Sequence, residues 1–289
     1  MSGRKDLGHR TLNLSGMPRR QGFELQGEST PVTSLVAETW RSRGLLAMLA
    51  KKEFFVRYRR ASFGVLWAVG LPLIQAIVLA AVLSKFVQFN TKVNYTVFIF
   101  AGMAAWSFFS GTVTVASTSI VDGQGLSTKI YFPRAILPLV SVASNFYGFV
   151  FSLPILLGMC VIAGVPFGVR ILLVVPAVGL MLALGSAFSL VLAALHVYFR
   201  DVRYIVQAAV MAWFYVTPVV YPLSAAKKLA PLIRVNPATG MTELFRAAFV
   251  GGDPGWIVSL WWALGWLAAL AFIGAMLHRR FDRVFVDLM

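Results

Sequence analysis

Six long stretches of the 289-residue chain contain no Asp, Glu, Lys or Arg, and this pattern limits the possible folds more than any other feature of the sequence. A helix needs roughly 20 consecutive apolar residues to cross the hydrocarbon core of a bilayer. The strands of a transmembrane barrel would alternate apolar and polar residues, and these stretches do not. The sequence therefore predicts an all-α membrane protein with six transmembrane helices, within residues 65–84, 95–115, 135–163, 171–197, 205–220 and 256–277.

The distribution of basic residues predicts how these helices are oriented. Apolar residues make up 58% of the chain and charged residues 13%, too little charge for a water-facing surface. The net charge of +15 is therefore attributed to membrane topology, and no nucleic-acid partner is expected. Of the 26 Lys and Arg residues, 19 fall on the side of the two termini. Because cytoplasmic segments of membrane proteins are enriched in Lys and Arg, both termini are predicted to be cytoplasmic.

The chain ahead of the first span divides into two parts. Residues 1–30 are rich in Gly, Ser, Arg and Gln and are predicted to form a mobile cytosolic tail. Residues 31–64 place apolar and basic side chains on different faces of a helix, which predicts an amphipathic cytosolic interface segment along the inner leaflet. A general positively charged anchor is the alternative. Residues 65–289 are then the six-helix transmembrane domain.

The loop between the fifth and sixth spans has a helical pattern of its own. Asn236 and Pro237 are suited to the N-cap and first turn of a helix, and apolar residues recur with helical spacing from there to Phe249. This helix would be about 20 Å long, too short to span. Together with the short fifth segment, it predicts re-entrant helices within residues 221–252. A helix lying on the membrane surface is the alternative.

The spans lack the residues that membrane enzymes and ion-coupled transporters use. No Asp, Glu, Lys, Arg or His lies at mid-depth in them, and one cysteine with three scattered histidines predicts no metal site. The sequence also lacks the G-x-x-x-x-G-K-[ST] phosphate loop. We therefore expect no catalytic residue, metal or cofactor in this chain, and an energy source in a partner.

Aromatic side chains are the candidates for lining a passage. On the second span Phe98, Trp106 and Phe109 share a face, and on the fifth Phe214 and Tyr221 share another with Pro218. Flat rings can stack on the C–H faces of sugars without holding them tightly. Helix packing and interfacial belts are the alternative roles for such residues. The predicted substrate-channel residues are Phe98, Trp106, Phe109, Phe214, Tyr215 and Tyr221.

Four stretches resemble ABC-2 type permeases that export bacterial polysaccharides. They read LLAMLAKKEFFVRYRRASFGVLWAVGLPLIQ (45–75), STKIYFPRAILP (127–138), YFRDVRYIVQAAVMAWFYVTPVVYP (198–222) and NPATGMTELFRAAFVGG (236–252). Each motif is loose alone, but the order and spacing of the set over residues 31–289 are those of the family.

This resemblance implies a homodimer that works with two copies of a separate nucleotide-binding ATPase subunit, which would bind ATP and Mg²⁺. The substrate would be a lipid-linked glycan such as O-antigen, teichoic acid, capsule or galactan, and the location the bacterial cytoplasmic (inner) membrane. The implied outer-gate residues are Asn236, Pro237, Glu243 and Arg246. The implied ATPase-coupling residues are Trp40, Leu126, Lys129, Ile130, Tyr131, Phe132, Pro133, Arg134, Arg200 and Asp201.

Two other functions remain open from the sequence. A permease of the same superfamily that expels drugs or small lipids would share much of the topology, and only the long loop and the aromatic content favour glycans. A non-transporting membrane scaffold or a glycan-processing enzyme would work without an ATPase.

Overall fold

The computed structural model describes residues 40–86, 89, 91, 93–127 and 132–281. These residues form helices and no strand, which confirms the all-α prediction for this part of the chain. The predicted tail, the start of the interface segment and the last eight residues lie outside it.

In the described part of the interface segment, Arg43–Tyr58 form a helix, α1. Its Ala50 and Phe54 are buried, and the helix packs against the third apolar helix of the chain. Because most of its charged side chains point away from that contact, the helix is amphipathic, as the sequence predicts.

Among the described residues, five helical segments are long and apolar enough to cross a membrane: Gly64–Phe86, Tyr95–Asp122, Ile136–Ile162, Val169–Tyr198 and Trp256–His278. The first consists of a short 3₁₀ turn and helix α2 (Trp67–Phe86), and the second is α3 (Tyr95–Asp122). After a single turn, α4 (Gln124–Ser127), come α5 (Ile136–Ile162), a second 3₁₀ turn (Val169–Leu173) and α6 (Val174–Tyr198). The remaining helices are α7 (Val202–Val216), a third 3₁₀ turn (Leu223–Leu229), α8 (Ala230–Val235), α9 (Pro237–Phe249) and α10 (Trp256–Phe281).

Helix α3 is the centre of the domain. It is far more buried than the other four long helices, and it packs against α2, α5, α6, α7 and α9. The outer faces of α2, α7 and α10 expose large apolar side chains instead. Such contiguous apolar faces are the surfaces that lipid or a second membrane chain would cover.

The predicted fifth span differs from the observed helix. Residues 205–220 were expected to be one apolar segment, but α7 covers Val202–Val216 and is about 22 Å long. The helix ends there because Thr217 precedes Pro218 and takes an extended conformation. At 15 residues, α7 is shorter than the roughly 20 residues that a straight span needs.

Helix α9 has the predicted helical pattern of apolar residues, and it is buried on its polar side as well. All 13 of its residues are buried, because α3, α6, α10 and the second 3₁₀ turn surround it. At Gly240 the backbones of α9 and α10 come so close that any Cβ would collide with the carbonyl group of Ser259. The helix is therefore enclosed by the rest of the chain.

Candidate functional site

Asn236 joins the start of α9 to the end of α7. Its Oδ1 accepts hydrogen bonds from the backbone N–H of Ala238, at 3.0 Å, and from Nε1 of Trp213, at 2.8 Å. Its Nδ2 donates to Oγ1 of Thr217 at 3.0 Å. The predicted N-cap is confirmed, with Pro237 at the first helical position. The same amide also fixes α9 to the turn that follows α7.

A buried ion pair lies on α9 two turns further along. Nη1 of Arg246 is 2.7 Å from Oε1 of Glu243, and both side chains are only 1% exposed. The guanidinium also donates to the backbone carbonyl of Val219 at 2.8 Å and stands 3.8 Å above the ring of Phe98. Arg246 therefore connects α9 to α3 and to the turn after α7.

This junction has no room for a side chain at Gly102 of α3. A Cβ there would lie 2.5 Å from Nη2 of Arg246 and 2.5 Å from the carbonyl oxygen of Val219. The hydroxyl of Tyr95 donates to the carbonyl of Val220 at 2.7 Å. We call Asn236, Glu243 and Arg246, with the turn at residues 217–220 and the α3 residues they touch, the α9 junction. It unites three of the four predicted outer-gate residues with Phe98, and Pro237, the fourth, is the first residue of α9.

Most of the predicted channel aromatics belong to one cluster inside the chain. Phe109 is fully buried, with its ring centroid 5.4 Å from that of Phe188 and 5.4 Å from that of Trp213. Trp106 meets Phe214 at 5.9 Å. Phe98 and Phe109 are enclosed by side chains of the same chain, which is the packing role that the sequence left open for them.

The two tyrosines of the predicted channel set lie in different environments. Tyr215 is 72% exposed. Tyr221 lies beyond the end of α7, so it does not continue a helical stripe with Phe214 and Pro218 as the sequence suggested. Its hydroxyl donates to the carbonyls of Tyr215 and Val216, at 3.2 and 3.3 Å, and these are carbonyls that the end of α7 leaves without a partner within the helix.

An open groove of about 710 Å³ runs between α2, α3 and α7. Trp106, Phe214 and Tyr215 line it, together with apolar side chains of α2 and the polar residues Gln75 and Gln207. Phe98, Phe109 and Tyr221 do not line it. The groove thus brings together half of the predicted channel residues.

The predicted coupling residues lie mainly near the α1 end of the domain. Phe132 is buried in a cluster with Ala50, Ile136, Leu137 and Val140, which also receives leucines from α1. Pro133 and Arg134 are half-buried in the turn before α5, and their carbonyls accept hydrogen bonds from the first residues of that helix.

The other coupling residues are more scattered. Trp40 is exposed, with the guanidinium of Arg43 5.0 Å from its ring centroid. Arg200 and Asp201 are exposed, and no ion pair between them occurs among the described residues. Lys129, Ile130 and Tyr131 lie outside the described residues, as does the side chain of Leu126 in α4.

A polar cluster between α1 and α5 was not predicted from the sequence. Arg57 donates to Oδ1 of Asn145 at 2.9 Å and pairs with Glu53 at 3.2 Å, and Ser141 donates to Glu53 at 3.4 Å. Burial raises the pKa of the Glu53 carboxyl, and the positive charge of Arg57 opposes that shift. The i, i+4 spacing of Glu53 and Arg57 was a visible signal of this pair, whereas the contact with Asn145 was not.

Within the described part of the chain, no group of three His, Cys, Asp or Glu side chains is placed to hold a metal ion. Acidic and basic side chains meet in the Glu53–Arg57 and Glu243–Arg246 pairs. The site is therefore a set of helix contacts beside an aromatic groove.

Comparison with known proteins places this arrangement among transporters. The family model described as ABC-2 type transporter matches residues 44–250, which include α1 to α9. The chain is 33% identical over 224 residues to the O-antigen export system permease protein RfbA of Myxococcus xanthus, covering 74% of this chain and 84% of that protein. It is 25% identical over 248 residues to a protein of the same name from Klebsiella pneumoniae, covering 85% of this chain and 95% of that protein.

Proposed function

Since the chain belongs to the ABC-2 type transporter family, we propose that it is the membrane-spanning permease subunit of an ATP-driven exporter that moves a lipid-linked polysaccharide across the bacterial cytoplasmic membrane. The observation that carries this proposal is the similarity, over most of both chains, to proteins named as O-antigen export permeases. It is a multi-pass transport subunit, not an enzyme. ATP and Mg²⁺ would be bound by a separate ATPase chain.

The proposed assembly is a homodimer with two ATPase subunits and cytoplasmic termini. In it α7 is the fifth of six spans, and residues 221–252 form a re-entrant outer gate. The short α7 and the fully buried α9 support this reading, because irregular backbone at membrane depth is tolerated where protein shields it. The excess of basic residues on the side of the termini supports the orientation.

In the proposed homodimer, the groove between α2, α3 and α7 forms one half of the passage. It is open along one side, so a second copy of the chain could close it. Trp106, Phe214 and Tyr215 offer ring faces on which sugars could stack and slide. Coupling to the ATPase is assigned to the buried Phe132 contact between α1 and α5, and to the neighbouring Arg134.

The test is depletion of this chain in its host, with surface polysaccharide and sensitivity to lipophilic drugs measured side by side. Loss of surface polysaccharide, with lipid-linked polymer accumulating inside, is the expected result. A tagged chain should also co-purify with a nucleotide-binding subunit. Normal surface polysaccharide with raised drug sensitivity would favour the drug-permease alternative, and transport by the chain alone on an ion gradient would contradict the ATPase partnership.

A further inference from the structure

Polar side chains from separate helices meet in one cavity of the otherwise apolar domain. The cavity, of about 270 Å³, lies between α1, α2, α3 and α5. Polar residues within transmembrane segments are uncommon and are most often functional. The polar lining includes Arg57, Gln75, Ser107, Ser110, Ser144 and Asn145.

One charged side chain lines the cavity, and it is positive. Arg57 lines it, and no Asp or Glu does. Glu53, the partner of Arg57, is bound from outside the cavity, and Asn145 fixes the guanidinium from α5. These two bonds leave further N–H groups of the guanidinium available, and the fork of a guanidinium matches the oxygens of a phosphate.

The position of the cavity connects it with the groove. Gln75, Ser107 and Ser110 line both spaces, so the cavity adjoins the groove directly. Its other wall is α1, on which Lys51 and Lys52 are exposed, and Arg59 and Arg60 are exposed directly after that helix ends. Basic residues at a membrane surface attract anionic lipid headgroups.

We propose that this cavity binds the phosphate or diphosphate group of a lipid, with Arg57 supplying the positive charge and Gln75, Asn145 and the serines supplying hydrogen bonds. The inference deepens the proposed function and rests on it, since it assigns the part of a lipid-linked glycan that would be held beside the groove. A cavity of this size suits a headgroup, because whole drug-sized ligands occupy about 300–1,000 Å³.

The test uses the purified full-length chain in neutral detergent, with dissociation constants measured by native mass spectrometry. The probes are undecaprenyl phosphate, undecaprenol as its phosphate-free counterpart, phosphatidylglycerol and inorganic phosphate. The variants are Arg57→Gln and Gln75→Leu, with Arg59→Gln as the matched control because Arg59 is an exposed cation of the same segment that does not line the cavity. Each variant is first checked for a single symmetrical peak in size-exclusion chromatography.

Arg57→Gln is expected to weaken binding of undecaprenyl phosphate by about tenfold or more, and Gln75→Leu by about threefold. Arg59→Gln should bind like the unmodified chain, and undecaprenol should bind weakly and without dependence on Arg57. Gln75 is exposed and lines the groove, so Gln75→Leu is expected to fold and provides the test if Arg57→Gln does not fold. Equal, Arg57-dependent binding of phosphatidylglycerol would support a phosphate site filled by membrane phospholipid, and the same behaviour of inorganic phosphate would show that the anion suffices.

Unchanged binding of undecaprenyl phosphate by Arg57→Gln, or equally tight binding of undecaprenol, would overturn the proposal. If surface polysaccharide still depends on the chain in that case, the phosphate site fails while the proposed function stands. If the amount of surface polysaccharide does not depend on the chain, the proposed function itself is contradicted.

Discussion

Removal of one charge from the Glu243–Arg246 pair is expected to destabilise the membrane domain strongly. Both side chains are 1% exposed, so Arg246→Met would leave the Glu243 carboxylate buried without its partner. Breaking a buried ion pair in this way costs about 3–5 kcal/mol. The same substitution also removes the hydrogen bond to the carbonyl of Val219. For a chain of this size, whose unfolding entropy is about 0.6 kcal/mol per degree, that loss corresponds to a fall in the thermal midpoint of roughly 5–8 °C.

The double variant Glu243→Gln with Arg246→Met separates the charge effect from packing. Because replacing both members of a buried pair can be nearly neutral, it should recover much of the stability lost by Arg246→Met alone. Lys228→Met is the control, since Lys228 is an exposed cation of the same loop region and surface substitutions change stability by about 0.5 kcal/mol or less. The assay is thermal unfolding of each purified variant in the same detergent, followed by the loss of monodisperse protein.

Two results would refute this reasoning. One is an Arg246→Met variant as stable as Lys228→Met, which would mean that the pair is hydrated and contributes little. The other is a double variant no more stable than Arg246→Met, which would show that the packing of the side chains over Phe98, and not charge pairing, holds α9 in place.

Four further predictions follow from other parts of the domain. Gly102→Ala should lower the thermal midpoint and the rate of export, because the added Cβ would press on the carbonyl of Val219 and the guanidinium of Arg246. The control in the thermal unfolding assay is Gly179→Ala in α6, where a Cβ meets nothing within 4 Å. Tyr215→Ala should leave stability within about 0.5 kcal/mol but slow export of the polymer, as measured by surface labelling, and normal export would remove Tyr215 from the passage. Arg134→Ala should lower glycan-stimulated ATP hydrolysis by about fivefold or more in the reconstituted complex without changing the helical circular dichroism signal, and unchanged stimulation would contradict the coupling assignment. Burial raises the pKa of Glu53 in the folded state above 4.5, so the contribution of this carboxyl to stability is fully present below pH 4.5 and is lost as the pH rises through the folded-state pKa. The unmodified chain should therefore be more stable than Glu53→Gln by an amount that shrinks with rising pH. A difference that grows with pH would contradict the raised pKa.

Local sequence signals predicted the features that depend on local chemistry. The five long helices follow from apolar runs, since a bilayer demands length and hydrophobicity that a sequence shows directly. The start of α9 also follows locally, because an Asn side chain followed by Pro satisfies the free N–H groups of a first turn. The end of α7 at Val216 could have been placed more accurately from Pro218, whose ring restricts the residue before it.

The surroundings of each helix were not predictable in the same way. Helical periodicity gave α9 one apolar face, yet the helix is buried on every side, because α3, α6 and α10 enclose its polar residues and pair Glu243 with Arg246. Among the aromatic residues, Trp106 reaches the groove while Phe109 is sealed against Phe188 and Trp213. The two lie only three positions apart on the same face of α3.

By itself, then, the sequence determined that the chain is a helical membrane protein, where its long apolar helices lie, and how α9 begins. Only the tertiary structure decided which polar groups meet, bringing Arg57 of α1, Gln75 of α2 and Asn145 of α5 to one cavity. The physical reason is that an apolar run specifies the solvent around a helix, whereas a hydrogen bond or an ion pair depends on which neighbour the packing of distant helices supplies.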